Sequence, residues 1–196
     1  MPFLPAFAVA AFAIPALLWP APAQAVIDPI TSALSKGVAV AMDIRSTDDV
    51  AADVEIDTDL SKKLSDTGSE EFEHIAVLVF ARQVVLVGFA KSDAVRRKAV
   101  ALTARHKLAR NFKNDIVVGS TDGGLLGNLW LDKKIDLALT ATEGVRSVNM
   151  RWKVYGGHVF LMGVAQSKTE AALAIKTIQG LDGVKTVRSS LRIGKS

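Results

Sequence analysis

Apolar positions along this chain follow a helical rhythm, then a strand rhythm, and the whole pattern recurs at a fixed offset of 75 residues. Val85-Leu86-Val87-Gly88-Phe89-Ala90-Lys91-Ser92 lines up with Phe160-Leu161-Met162-Gly163-Val164-Ala165-Gln166-Ser167. The same offset carries Val54, Ile56, Asp57, Leu60 and Leu64 onto Leu129, Leu131, Asp132, Ile135 and Leu139 without a gap. It also carries Ile116 and Val118 onto Leu191 and Ile193. Duplication at such a period predicts two copies of one small module. Each copy predicts the order α-β-β-α-β. The expected class is α+β, two tandem modules, each a three-stranded mixed sheet packed on two helices.

In the first copy, Ser46-Thr47-Asp48-Asp49 offers helix-capping side chains. Val50, Val54, Leu60 and Leu64 then form a loose helical stripe ending near Gly68. Ile75, Val77 and Val79 begin a hairpin that turns at Ala81-Arg82-Gln83 and returns through Val84 to Val87. Ser92 caps a helix expected to reach about Arg110, with Val95, Ala99, Leu102 and His106 on one face, and Asp115 to Val118 closes the module. The glycine-rich stretch 120–128 reads as a linker, short enough to keep the modules close. The second copy predicts a helix from Leu129 to about Thr142 and a strand from Ser147 to Tyr155. A Gly156-Gly157 hairpin turn and a return strand from His158 follow. A helix capped by Ser167 then leads to a last strand, Thr186 to Ile193.

Residues 1–25 carry no charge, run apolar from Phe3 to Trp19 and end in Ala23-Gln24-Ala25, the small-x-small pattern of a secretory cleavage site. A retained anchor is the other reading, although Pro15 and Pro20 oppose a regular spanning helix. Residues 26–45 read as an extension outside both cores. The domain boundaries are therefore 46–119 and 129–196, around the linker. The chain has no cysteine, so a lipid-modified N-terminus, disulfides and thiolate chemistry are excluded. The net charge of +4 is unevenly spread: residues 46–119 hold 11 Lys+Arg against 12 Asp+Glu, whereas 120–196 hold 11 against 6. An anionic partner is therefore expected at the second module.

The helix at 129–142 has two faces. Leu131, Ile135, Ala138 and Leu139 cluster as the core side. Trp130, Lys133, Lys134, Leu137 and Ala141 form a separate stripe about 120–130° away. An indole and a leucine flanked by lysines suit the headgroup level of a bilayer. The bland alternative packs Trp130 and Leu137 against the first module. The equivalent positions in the first copy are Glu55, Thr58, Asp59, Lys62 and Asp66, a net acidic set. Arg151 and Lys153, on one side of their strand, and His158, after the turn, are candidate extensions of the basic patch. A solvated sheet face and a plain surface histidine are the respective alternatives.

Catalysis finds little support. His74, His106 and His158 fall in different elements without metal-ligand spacing, and the aspartates of the first helix lack the glycine and terminal glutamate of a calcium loop. Gly123-Gly124-Leu125-Leu126-Gly127 lacks the lysine and capping hydroxyl of a phosphate loop. No row of stacking aromatics supports a nucleic-acid partner. No cofactor, metal or catalytic residue is expected.

Val159-Phe160-Leu161-Met162-Gly163-Val164, an Ala-rich helix and Leu181-Asp182-Gly183-Val184-Lys185-Thr186-Val187 resemble a BON domain. The doubled pattern from Asp43 to Ile193 resembles the dual-BON-domain proteins of the Gram-negative envelope, including the segments Asp43-Ile44-Arg45-Ser46 and Leu129-Trp130-Leu131-Asp132-Lys133-Lys134-Ile135. The first copy departs from the family by having Ala109-Arg110-Asn111-Phe112 where a Gly-Val step is usual. The resemblance implies a periplasmic, non-enzymatic protein, peripheral to the outer membrane; the lipidated cysteine of the family's lipoprotein members is absent, so this chain is not expected to be a lipoprotein. Its implied partner is an anionic phospholipid surface, met by the first helix of the second module, in support of outer-membrane integrity or stress tolerance. The alternative is a protein-interaction adaptor docking an envelope assembly or secretion machine.

Overall fold

Each pairing of a helical stripe with a strongly apolar hairpin closes into its own layer pair in the structure, a computed structural model describing residues 43–68, 70–122 and 124–194. The stretches read as signal peptide and as extension up to Met42 lie outside the described residues. Helix α1 (Thr47–Gly68), strands β1 (Ile75–Phe80) and β2 (Gln83–Ala90), helix α2 (Asp93–Thr103) and strand β3 (Asn111–Val118) make the first module. The second comprises α3 (Leu125–Ala141), β4 (Met150–Tyr155), β5 (His158–Ala165), α4 (Lys168–Gln179) and β6 (Thr186–Ile193), with a short 3-10 turn at Ser147–Asn149. All three strand pairs obey the 75-residue offset at both ends. In each sheet the middle strand is the hairpin's second: β1–β2 and β4–β5 are antiparallel, β2–β3 and β5–β6 parallel. The expected mixed three-stranded sheets and α+β class are what the structure shows.

Alternation sorts each strand between two cores. Ile75, Val77, Val79, Val84, Leu86 and Ala90 face the helices with Ile56, Leu60 and Leu64. Their neighbours Leu78, Phe80, Val85, Val87 and Phe89 face the other way, onto Tyr155, Phe160, Met162 and Val164 of the second sheet. The two sheets thus pack face to face with helices outside, four layers in all. This is why β1 and β2 are apolar at consecutive positions: both their faces are covered. Phe89 meets Phe160 edge-on at 5.9 Å between centroids, and Tyr155 meets Phe160 at 6.4 Å. On β3 and β6, Ser190 Oγ donates to Asp115 Oδ2, and Lys113 Nζ lies 2.7 Å from Asp115 Oδ2. Asp115 and Ser190 are themselves 75 residues apart, so the pairing is between equivalent positions.

Several expectations need correction. Val54 is 63% exposed and Val50 also lies outside, because the inward face of α1 is set by Ala52, Asp53, Ile56, Leu60 and Leu64. The helix after Ser92 stops at Thr103, well short of Arg110. Beyond it, Leu108 N–H donates to His106 Nδ1 and Arg110 N–H to the Arg82 carbonyl, which holds a loop where a helix was expected. That loop lets β3 start at Asn111, four residues earlier than Asp115. Helix α3 starts at Leu125, four residues inside the stretch read as linker, with Gly124 as its uncapped N-cap. The strand expected from Ser147 begins with the 3-10 turn and becomes extended at Met150.

Asp43-Ile44-Arg45, read as lying outside both cores, is built into the junction. Arg45 pairs with Asp43 at 2.6 Å and with buried Asp53 at 3.1 Å, and its guanidinium stacks 4.5 Å from the Phe80 centroid. Ile44 N–H donates to Asn149 Oδ1 of the second module. Burial opposes the Asp43 charge, yet hydrogen bonds from Arg45 hold its carboxyl below the ordinary value; the same bonds, against desolvation, raise Arg45.

Candidate functional site

Helix α3 holds the residues singled out for surface contact, and its two faces separate cleanly. Leu131, Ile135 and Leu139 are buried against β4 and β5, as expected, while Ala138 is half-buried. Trp130 is 72% exposed and Leu137 is 70% exposed, so packing of this face against the first module does not occur. Lys133, Lys134 and Ala141 are exposed beside them. From Trp130 to Ala141 the stripe runs about 16 Å along the helix axis. Neither lysine is ion-paired among the described residues.

The early start of α3 adds residues that the sequence reading missed. Leu126 is 74% exposed and precedes Trp130 by four positions, so it continues the same stripe by one turn. Leu125 and Leu129 are also exposed and flank it. The signal was present in the i, i+4 spacing of Leu126 and Trp130, but the neighbouring glycines had assigned it to a linker. The outcome is a helix face with Leu126, Trp130 and Leu137 bordered by two free cations, an apolar surface of a kind that soluble domains seldom leave uncovered.

The matching face of α1 is closed by ion pairs. Glu55 pairs with Lys107 at 3.1 Å, Asp59 with His106 at 3.2 Å and Lys62 with Asp66 at 2.5 Å. Glu55, Asp59 and His106 bring their ligand atoms within 4.8 Å of one another. Their hydrogen-bond and charge partners argue against a cation there. Leu108 N–H donates to His106 Nδ1, so in the neutral ring Nε2 carries the proton and donates to Asp59. Lys107 neutralises Glu55. The group is an ion-pair network.

Arg151, Lys153 and His158 lie elsewhere. Arg151 turns into the junction, half-buried, with its guanidinium 5.3 Å from the Phe80 centroid and Nη1 donating to the carbonyls of Val148 and Met150. Burial and the Arg45 charge both push its pKa down. It is therefore no part of a surface patch with Trp130. Lys153 is exposed near the Tyr155 ring, whose hydroxyl is pushed up by burial. His158 sits edge-on to Phe89 at 5.1 Å with Nδ1 2.9 Å from Thr186 Oγ1, at the rim between the sheets. Desolvation and the nearby Lys185 and Arg188 charges, against Asp122, lower its pKa from 6.5. An NMR titration is expected to give His158 a midpoint below 6.5. A midpoint at or above that value would remove this rim cation cluster.

No helix among the described residues is long and apolar enough to cross a membrane. Among the described residues the geometry offers an amphipathic contact face on the outside of the second module.

Comparison with known proteins places these modules. A protein of Anaplasma centrale, described as an uncharacterized protein in the gshII 5' region, is 32% identical over 129 residues, covering 64% of this chain and 85% of its own. Two solved structures of CdsD, a structural protein of the type III secretion system of Chlamydia trachomatis, align over 73% of this chain. One is its C-terminal domain, 14% identical with a TM-score of 0.31 over 67% of that chain. The other is 16% identical with a TM-score of 0.29 over 62% of that chain. Residues 52–120 and 128–195 each match the BON domain, following the two sheets described above, and the chain therefore belongs to the BON domain family.

Proposed function

We propose that this chain is a non-enzymatic protein of the cell envelope that attaches to anionic phospholipid surfaces through the outer face of α3. The carrying observation is the exposure of Trp130 and Leu137, extended by Leu126, beside Lys133 and Lys134, none of it needed for folding. A helix in this position lays its apolar side into the interfacial zone, places the indole at headgroup depth and lets the ammonium groups meet phosphates. The charge of the second module favours anionic over zwitterionic lipid. The first module, with its acids paired off on the equivalent face, acts as the docked partner. In the envelope such attachment would be peripheral, at the periplasmic side of the outer membrane, and would support membrane integrity or stress tolerance.

Co-sedimentation with vesicles tests this. Binding to vesicles containing anionic lipid is expected, with little to purely zwitterionic ones. Trp130→Glu should lose at least about tenfold in affinity, and Lys133→Glu and Lys134→Glu about fivefold each, from roughly 1 kcal/mol per surface cation. Equal binding to both vesicle types, or an unaffected Trp130→Glu variant, would end the proposal. Saturable capture of one envelope protein through the same face, without vesicle binding, would replace it with an adaptor role.

A further inference from the structure

Among the described residues the two sheets end in four edge strands, and three of them carry charges. β4 has Arg151 and Lys153, β3 has Lys113 and Asp115, and β6 has Arg188 and Arg192. Charges on an edge strand discourage other chains from pairing with it. β1, Ile-Ala-Val-Leu-Val-Phe, carries none. It has no proline either.

Its backbone is correspondingly available. The two-residue turn makes Phe80 and Gln83 a hydrogen-bonded pair, so Leu78 and Ala76 also bond to β2. The intervening Val77 and Val79 therefore aim their N–H and C=O groups away from β2. No partner for those groups exists among the described residues. Ile75 N–H, aimed the same way, is already taken by the Phe72 carbonyl. A groove of about 670 Å³ runs along this edge. Val54 of α1 forms part of one wall, and Arg151, Trp152 and Lys153 of β4 form the other.

At the β4 wall Asp43 and Asp53 act on Arg151 only at a distance, and Lys153 is left without a carboxylate partner among the described residues. Arg45 is committed to Asp43 and Asp53. Arg151 and Lys153 make no ion pair with a carboxylate among the described residues, and Arg151 is half-buried. On the opposite side, Glu73 is drawn to Lys91 and His74, while Asp57 lies on the α1 wall. An incoming chain would thus meet apolar surface at Val54 and Trp152, and cations along β4.

We infer that β1 accepts an extended polypeptide segment by strand addition, with apolar residues alternating with acidic ones that face Arg151 and Lys153. Backbone pairing at Val77 and Val79 supplies the attachment, and the β4 cations supply the preference for acids. The β1 edge at Val77 and Val79 shares no residue with the Trp130, Lys133, Lys134 and Leu137 stripe of α3, so amide protection at those two positions is read independently of bilayer binding.

The probe is an acetylated peptide of alternating valine and glutamate, about eight residues long, roughly the length of a strand. It is titrated into the full chain while amide exchange is followed by NMR. Saturation should slow exchange at Val77 and Val79 by at least about tenfold, the protection expected of newly bonded edge amides. A peptide N-methylated at alternate residues should fail to bind. A valine–lysine peptide should bind about tenfold more weakly, and Lys153→Glu, a change at an exposed position, should reverse that order. Unchanged exchange at Val77 and Val79 under saturating peptide, or equal binding of the N-methylated peptide, would overturn the inference. Protection confined to α3 would do so as well.

Discussion

Gly163→Ala is expected to be among the most destabilising single changes in the second module. Gly163 lies in the central strand with φ +131°, a backbone region essentially confined to glycine. A Cβ there would lie 2.1 Å from the Asn149 carbonyl oxygen and 2.9 Å from Met150 Cα, both backbone atoms. Neither can swing aside without opening the β4–β5 pairing. The strain alone costs about 1–3 kcal/mol, and displacing the strand adds to it, so a total of at least about 3 kcal/mol follows. For a module of this size that lowers the melting temperature by about 12 °C or more. Gly88→Ala should behave alike in the first module, since its Cβ would sit 1.9 Å from the His74 carbonyl oxygen. Gly127→Ala is the control: nothing lies within 4 Å of its Cβ and it occupies the first turns of α3, so stability should hold or rise by about 0.5–1 kcal/mol. Thermal and urea denaturation followed by circular dichroism would read all three. A Gly163→Ala protein within about 1 kcal/mol of the parent would mean that the backbone at this position is not held in that conformation against Asn149.

These two glycines also show what was legible in the sequence. The repeat placed Gly88 over Gly163, and with them all three strand pairs, because positive φ and close backbone approach in the central strand leave little freedom to change the residue. The hairpins and the closing strand of the second module could be read from alternation and turn residues. The docking of the two modules could not. The apolar run of β1 and β2 states that both faces are buried but does not name what buries them. In β4, Arg151 and Lys153 interrupt the pattern and suggest a wet face. The structure instead places Arg151 over Phe80, where its flat guanidinium stacks while its donors reach carbonyls. Arginine satisfies a junction in this way without looking apolar.

Element ends were less legible than element cores. The stretch 104–110 has no glycine or proline to stop a helix; what stops it are bonds from distant chain, such as Arg110 N–H to the Arg82 carbonyl. Conversely, glycines around Leu125 and Leu126 advertised a linker, though the helix tolerates Gly127 in its first turns. The contact face was readable because Trp130, Lys133, Lys134 and Leu137 lie off the core direction of α3, and helix geometry alone separates the two. His158 and Arg151 shared only a basic side chain with that face, and residue type carries no direction.

Asp53→Ala is expected to cost about 3 kcal/mol or more, and the reason lies in the hairpin turn that it holds. Ala81 and Arg82 occupy the left-handed region, φ 50° and 59°, without being glycine. Such residues cost roughly 1–2 kcal/mol each relative to a relaxed backbone. The Asp53 carboxylate accepts from both turn amides, Ala81 N–H at 2.8 Å and Arg82 N–H at 2.6 Å, and pairs with Arg45 at 3.1 Å. In the second module the equivalent turn is Gly156-Gly157, which has no such strain, and Asn128 Oδ1 accepts from Gly156 N–H at 2.8 Å. The carboxylate is therefore matched to the strained turn and the amide to the relaxed one. Ala81→Gly alone should raise stability by about 1 kcal/mol. Combined with Asp53→Ala it should recover part of the loss, giving a positive coupling in a double-mutant cycle, because part of what Asp53 supplies is the hold on that turn. Additive effects, or an Asp53→Ala loss under about 1 kcal/mol, would show that the turn is held by the strands themselves and that Asp53 serves only Arg45.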